Sequence, residues 1–392
     1  MKLAGIVCEY NPMHKGHIYH IEETRKNGAT HIVCVMSGNF VQRGECAFLD
    51  KWSRADIAVH SGADLVVELP TPWSADSAEN FAFGAVSLLS CLGIDMLSFG
   101  SETDDTELLK ALAEISDDKL SAIIKAGIEK GLSYPSALRD AVKNVYGERE
   151  AMVISSPNST LGIEYIKALK KLSYDAEILP VMRKGSAHDS ESLLGEFASA
   201  SALRNASDLI SVKPFVTDYA FNLMNKLYAE SYAPVTMKKG ERAVLSALRN
   251  MSADELEKHF DDKRGLSNRV YNAVKASQGL EELYETVKTK NVTMAKVRRS
   301  ILRAYLGISA GMSKEKPPYI KVLAANENGL CILKNYSGDI PVITKHSDAS
   351  SLGGFAKEVY ETECRCTDLY ALFSKKIRAC GMEQTSSLKV IK

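Results

Sequence analysis

The sequence has no excess of charge of either sign: 49 Lys and Arg balance 49 Asp and Glu over 392 residues. That excludes a uniformly basic nucleic-acid coat and an acidic disordered tail, so any contact with RNA or DNA must rest on a local patch. Apolar runs of about 18 residues are missing, which argues against a membrane-spanning helix. The opening Met1–Tyr10 has one basic residue and too short an apolar run for a signal peptide. Eight cysteines in a chain this long are too sparse for a disulfide scaffold, which points to a reducing, cytoplasmic setting. Cys364 and Cys366 have the wrong spacing for a zinc pair and no second pair nearby, so no metal site is expected. Cys8, Cys34 and Cys91 lie in apolar runs and read as buried small hydrophobes. Internal repeats and low-complexity tracts are also missing.

What remains is an ordinary globular composition, 45% hydrophobic and 25% charged. At roughly 150 residues per domain, the length predicts two or three domains. Short apolar runs at Leu3–Val7, His31–Met36, Asp64–Leu69 and Asp95–Phe99 read as strands, with a fifth at Ala176–Val181. Segments of helical length, Lys51–Ser61 and Ala75–Cys91, separate them. That alternation predicts an α/β fold with a parallel sheet covered on both faces, binding ligands at the carboxyl ends of its strands. From about Ser207 helix-forming stretches dominate, broken at Lys238-Lys239-Gly240, and Lys316-Pro317-Pro318 marks a boundary. Three parts are therefore expected: a Rossmann-like domain over 1–206, a helical domain over 207–315, and a small mixed α/β element over 316–392. In the last, Tyr319–Ala324 and Gly329–Leu333 read as β-like runs, and Asp368–Ile377 as a helix.

The sharpest signal is Glu9-Tyr10-Asn11-Pro12-Met13-His14-Lys15-Gly16-His17-Ile18-Tyr19-His20, directly after the first strand. Asn11-Pro12 favours a turn. A helix beginning near His14 turns its free N–H groups and dipole toward an anion. His14 and His17, three residues apart, share one face of that helix, and Gly16 lets a phosphate approach the backbone. Nucleotidyl transfer needs this: groups that position phosphates and meet charge as it develops. A metal-ligating pair or two satisfied surface histidines fit a bare His-x-Gly-His as well, but the strand, turn and helix context favours the phosphate role. Three of the eight histidines fall within the seven positions from His14 to His20.

This element resembles the nucleotidyltransferase superfamily that includes class I aminoacyl-tRNA synthetases. Longer strings resemble, more narrowly, the bacterial tRNA(Met) cytidine acetate ligase family. They are Val7–His20, Met36–Glu45, Asp50–Arg54, Gly62–Pro70, Phe99–Glu102, Ser156–Tyr165 and Arg183-Lys184-Gly185-Ser186-Ala187-His188-Asp189. The resemblance is dense to about residue 210 and looser beyond. Met13, Ser159 and the segment before His188 depart from the family pattern. The resemblance implies a nucleotidyltransferase-like catalytic domain that binds ATP through Val7, Cys8, Glu9, Tyr10, Asn11, Pro12, Met13, His14, Lys15, Gly16, His17, Ile18, Tyr19, His20, Gly100, Asn158 and Arg183. Alone, Asn158 reads as a helix cap and Arg183 as a solvated arginine. Ser199, Ser201 and Arg204 resemble a second phosphate-binding signature, and an ordinary capped helix fits them equally. Gly311-Met312-Ser313-Lys314 approaches a synthetase signature, but a linker fits it better.

The resemblance further implies acetate as the activated acid and the wobble cytidine of elongator tRNA(Met) as acceptor, giving N4-acetylcytidine. Mg²⁺ is a candidate companion of ATP without a dedicated protein site. Thr286–Leu306 holds six basic residues and no acidic one. At helical spacing its apolar residues share one face, while Lys296, Arg299 and Arg303 share the other, which is expected to meet tRNA phosphates. Lys238-Lys239 and Lys263-Arg264 could extend that patch. A small-molecule adenylyltransferase and a non-catalytic nucleotide- and RNA-binding protein are the competing readings. Asn39, Gln42, Arg43 and Lys51 are expected in loops bordering the site, with roles unassigned.

Overall fold

The structure, a computed structural model, describes residues 1–115, 117–184, 197–260 and 265–392. Gly185–Asp189 and Lys263-Arg264, both singled out above, lie outside the described residues. The ten strands among the described residues are β1 Leu3–Cys8, β2 His31–Ser37, β3 Phe40–Val41, β4 Glu45–Cys46, β5 Leu65–Leu69, β6 Met96–Ser101, β7 Glu177–Met182, β8 Ile320–Ala325, β9 Val342–Ile343 and β10 Lys389–Val390. The main sheet runs β10-β8-β5-β2-β1-β6-β7, with β9 also on β8, and β3-β4 is a separate hairpin. Strands β5, β2, β1, β6 and β7 are all parallel. Their apolar runs are continuous because helices cover both faces: Ile32 to Met36 and Leu65 to Val67 are fully buried. Strand order reverses between β1 and β6, which opens a crevice at their carboxyl ends.

The five strands expected in the first half are all present. Four of the five described helices between β6 and β7, Thr106–Ala113, Asp117–Glu129, Tyr134–Val145 and Glu148–Ser155, form an insert ahead of Pro157–Lys171. Most of it packs on a small core of its own around Leu120, Ile124 and Val142. The expected helical stretch after Ser207 is helical, from Asp218–Ala229 to Met294–Leu306.

The carboxyl-terminal part departs from expectation. The run Tyr319–Ala324 is a strand, β8, but it pairs antiparallel with β5 and so extends the first sheet. Gly329–Leu333, expected as β-like, lies in the helix Glu327–Lys334, because Asn326 Oδ1 accepts from Gly329 N at 3.0 Å and caps it. The last long helix is Gly354–Tyr370 rather than Asp368–Ile377; its end coincides with the expected start.

Candidate active site

The chain leaves β1 through Tyr10, whose φ of +44° is unusual for a side chain of this size, and through a cis Asn11–Pro12 bond. Asn11 Oδ1 accepts from Phe48 N at 2.7 Å, and Arg204 Nη1 donates to Asn11 O at 2.7 Å. The turn is thus held by its side chain and by its carbonyl. It delivers His14 to the N-cap of the helix Lys15–Lys26.

Here the two histidines do something the sequence did not show. His14 Nδ1 accepts from Gly16 N at 3.1 Å, and His17 Nδ1 accepts from His14 N at 3.3 Å. Together they form a reciprocal capping box. The Gly16 N–H is therefore already taken, not open to an anion as expected. The exchange fixes both tautomers: with Nδ1 accepting, each neutral ring carries its proton on Nε2. The rings stack with centroids 3.8 Å apart, and Tyr10 packs edge-on to His17 at 5.0 Å. A Cβ at position 16 would lie 3.0 Å from His14 Cε1, so the ring would have to shift to make room for it.

Burial, then the nearby Arg183 and Arg204 guanidinium groups, lowers the His14 pKa to about 3. Burial and His14 push His17 well below its usual value. Burial and Arg183 bring His20 to about 4, and its Nε2 lies 2.9 Å from Ser98 Oγ. All three rings are thus neutral at pH 7. The cationic charge belongs to the arginines. Arg183 Nη1 donates to Asn158 Oδ1 at 3.1 Å, and Asn158 Nδ2 donates to Glu102 Oε1 at 2.6 Å. Burial would raise Glu102, but bonds from Asn158 and Ser159 outweigh it and hold the carboxyl below its usual range.

These groups surround a cavity of about 400 Å³ at the crevice predicted by the strand order. Of the expected ATP-binding residues, Val7–Asn11, His14, Gly16, His17, Tyr19, His20, Gly100, Asn158 and Arg183 line it, as do Ser199, Ser201 and Arg204. Pro12 and Met13 are buried without lining it, Lys15 is exposed, and Ile18 packs on the hydrophobic core. Ser199 Oγ caps the helix Ala200–Arg204 by accepting from Ala202 N, and Ser201 Oγ accepts from Arg204 Nη2 at 3.3 Å. Gln42 and Arg43 also line the cavity, together with Phe81, Tyr165 and Phe197, which the sequence did not single out. The turn holding Gln42 and Arg43 is close-packed: a Cβ at Gly44, where φ is +78°, would lie 2.5 Å from the Arg299 backbone N. Glu9 and Glu45, two lining carboxylates, are engaged by Gln42 N at 3.0 Å and Arg298 Nη1 at 2.6 Å. They do not form a cage for Mg²⁺.

Asn39 and Lys51 do not border the cavity. Asn39 bonds Thr367 Oγ1 and the Lys51 backbone. Lys51 is fully buried, 2.5 Å from Glu68, 3.4 Å from Glu363 and in contact with Glu383, which also touches Lys321. Among the described residues these three carboxylates are the group that could hold a metal, but the two ammonium groups take the cation's place. Ser313 of the near-signature is buried in a short 3₁₀ turn and bonds Asp76.

The basic helix is corrected in one respect. Lys296 and Arg299 line a second hollow, but Arg303 is buried. Its Nη1 donates to Pro72 O at 2.7 Å and lies 3.2 Å from Asp76, and its Nη2 donates to Ser309 O. The helix Met294–Leu306 is packed against the β4 hairpin on one side and the helix Gly354–Tyr370 on another, so part of its basic face is interior.

The chain resembles known proteins over its whole length. The family model of the HIGH nucleotidyl transferases matches residues 1–385. A tRNA(Met) cytidine acetate ligase of Caldanaerobacter subterraneus subsp. tengcongensis is 37% identical over 388 residues, 96% of each chain. One from Acetivibrio thermocellus is 33% identical over 415 aligned positions, with both chains fully covered. Thermotoga maritima TmcAL in its apo form superposes with a TM-score of 0.92 at 28% identity, and its form bound with alpha-thio ATP with 0.88 at 27%, each covering both chains completely. The chain belongs to the HIGH nucleotidyl transferase family and, within it, to the tRNA(Met) cytidine acetate ligases.

Proposed function

We propose that this protein acetylates the wobble cytidine of elongator tRNA(Met) with acetate and ATP. The observation that carries the reading is the convergence of His14, His17, Arg183 and Arg204 on one cavity at the carboxyl end of β1. In the first step an acetate oxygen attacks the α-phosphorus of ATP. The bond to the bridging oxygen breaks, pyrophosphate leaves, and acetyl-adenylate remains. Negative charge grows on the α-phosphate and on the leaving group. Two Nε2–H donors and two guanidinium groups meet it. The imidazoles act as neutral donors, since each Nδ1 lone pair is held by a backbone N–H and only Nε2–H is free to face phosphate. In the second step the exocyclic N4 amine of cytidine attacks the acetyl carbonyl. The amide forms, AMP departs and the amine gives up a proton. The base would have to be splayed from the anticodon loop to reach the carbonyl. Any Mg²⁺ would arrive on the phosphates, and no step here runs through it.

Incubating the enzyme with ATP, labelled acetate and tRNA tests the reading. Label in tRNA, and acetate-dependent ATP–pyrophosphate exchange without it, are the expected results. Transfer of AMP to a small metabolite would favour an adenylyltransferase instead, and nucleotide binding without turnover a non-catalytic protein.

A further inference from the structure

Beside the nucleotide cavity lies a second hollow of about 1340 Å³. Its walls come from the helices Pro157–Lys171 and Ala78–Cys91, from the insert between β6 and β7, and from the start of Met294–Leu306. Ala78 and Thr160 line both hollows, so the two adjoin. We propose that this cleft seats the single-stranded loop of the acceptor RNA and directs its reactive base toward the nucleotide cavity. The assignment rests on the tRNA reading above and adds where the RNA lies.

Three observations carry it. The first is charge. Arg139, Lys167, Lys171, Lys296 and Arg299 line the cleft against two carboxylates, Glu79 and Glu164, in a chain whose charges balance overall. A phosphate backbone is the polymer such a groove attracts. The second is surface. Tyr134 at the lip is 45% exposed, and an aromatic ring beside cations is a platform on which a base stacks. The third is size and place. The volume exceeds the roughly 300–1,000 Å³ of small-molecule pockets, and the cleft adjoins the only described cavity that gathers His14 and His17. Arg299 lies between the two, donating to Gln42 O at 3.4 Å while Gln42 lines the nucleotide side. Lys171 sits 4.5 Å over the Phe83 ring and Lys167 is 2.9 Å from Glu164, so both are held at the wall.

Lysine footprinting of the full-length enzyme tests the proposal without a mutation. The wild type is labelled with an amine-reactive reagent, with and without a tRNA(Met) anticodon stem-loop, and read by mass spectrometry. Lys167 and Lys171 should lose at least about half of their labelling when the RNA is bound. The double variant Lys167→Glu, Lys171→Glu, checked for folding by its melting temperature, should bind the stem-loop about tenfold or more weakly. Its slope of log affinity against log salt should fall by about 1.4, two single-strand phosphate contacts. If the wild type acetylates tRNA yet both lysines label equally with and without RNA, and the variant binds normally, the cleft assignment fails while the function stands. If the wild type neither binds nor acetylates RNA, both fail.

Discussion

Replacing His17 with alanine removes a phosphate-facing donor and half of a capping box in one step, and the two losses are separable. The Nδ1 atom accepts from His14 N at 3.3 Å, so its removal should cost the helix about 0.5–2 kcal/mol, the range for a lost N-cap. The Nε2–H is assigned to the developing phosphate charge. One such preorganised donor is worth about 10²–10³ in rate, or about 2.7–4 kcal/mol of barrier. The ring also holds His14 in its stack at 3.8 Å, so the kinetic loss should reach the upper part of that range. Acetate-dependent ATP–pyrophosphate exchange isolates the first step, and thermal melting reports the structural loss. The expected variant melts a few degrees lower, binds tRNA and exchanges pyrophosphate several hundred-fold more slowly. His17→Asn, which can place an amide donor nearby, should recover part of the rate. Exchange within threefold of wild type in His17→Ala would refute the role given to the imidazole pair.

Gly16→Ala should slow exchange without removing any catalytic group, because its Cβ would press on the His14 ring at 3.0 Å; a wild-type rate would show that the ring position is immaterial. Lys51→Met should destabilise the fold by about 3–5 kcal/mol, read in urea melts, since it leaves Glu68, Glu363 and Glu383 facing one cation where they now have two. Glu68→Gln should be milder, because burial already raises the Glu68 carboxyl against the pull of Lys51 and an amide keeps its hydrogen-bonding shape. Acid should weaken the protein through His14 and His20, whose folded values of about 3 and about 4 lie below the unfolded value of 6.5. Between these values the unfolded chain binds more protons, so this stability is complete above about pH 6.5 and lost as pH falls toward 4 and 3. The double variant His14→Gln, His20→Gln should lose less stability between pH 7.5 and pH 5 than wild type.

The sheet and the site were legible to different depths. Strands β1, β2, β5, β6 and β7 are apolar because both faces are covered, and that pattern is local. The strand, turn and His-x-Gly-His element is equally local, and it placed His14 and His17 on the cavity wall. Residues whose roles depend on distant partners were not legible. Lys51 follows the Asp50 cap and reads as a loop-border lysine, yet its carboxylates come from β5, from Glu363 and from Glu383. Arg303 has the spacing of an exposed basic face, but Asp76 and the Pro72 carbonyl enclose it. The insert between β6 and β7 was not read from the sequence, and its walling of a cleft depends on helices that pack on a core of their own. Tautomers were likewise invisible, since they follow from which backbone N–H each Nδ1 receives.

Strand β8 binds the far end of the chain into the catalytic sheet, with Val67 opposite Val322. A fragment that stopped after Arg204 would hold every group that lines the nucleotide cavity and yet leave β5 as a bare edge, with Lys51 and Glu68 deprived of Glu363, Glu383 and Lys321. Such an edge invites pairing with other chains. On the ribosome, then, the nucleotide-binding half emerges first but is completed last. Closing the sheet waits for the slowest kind of contact, one between remote parts of the chain.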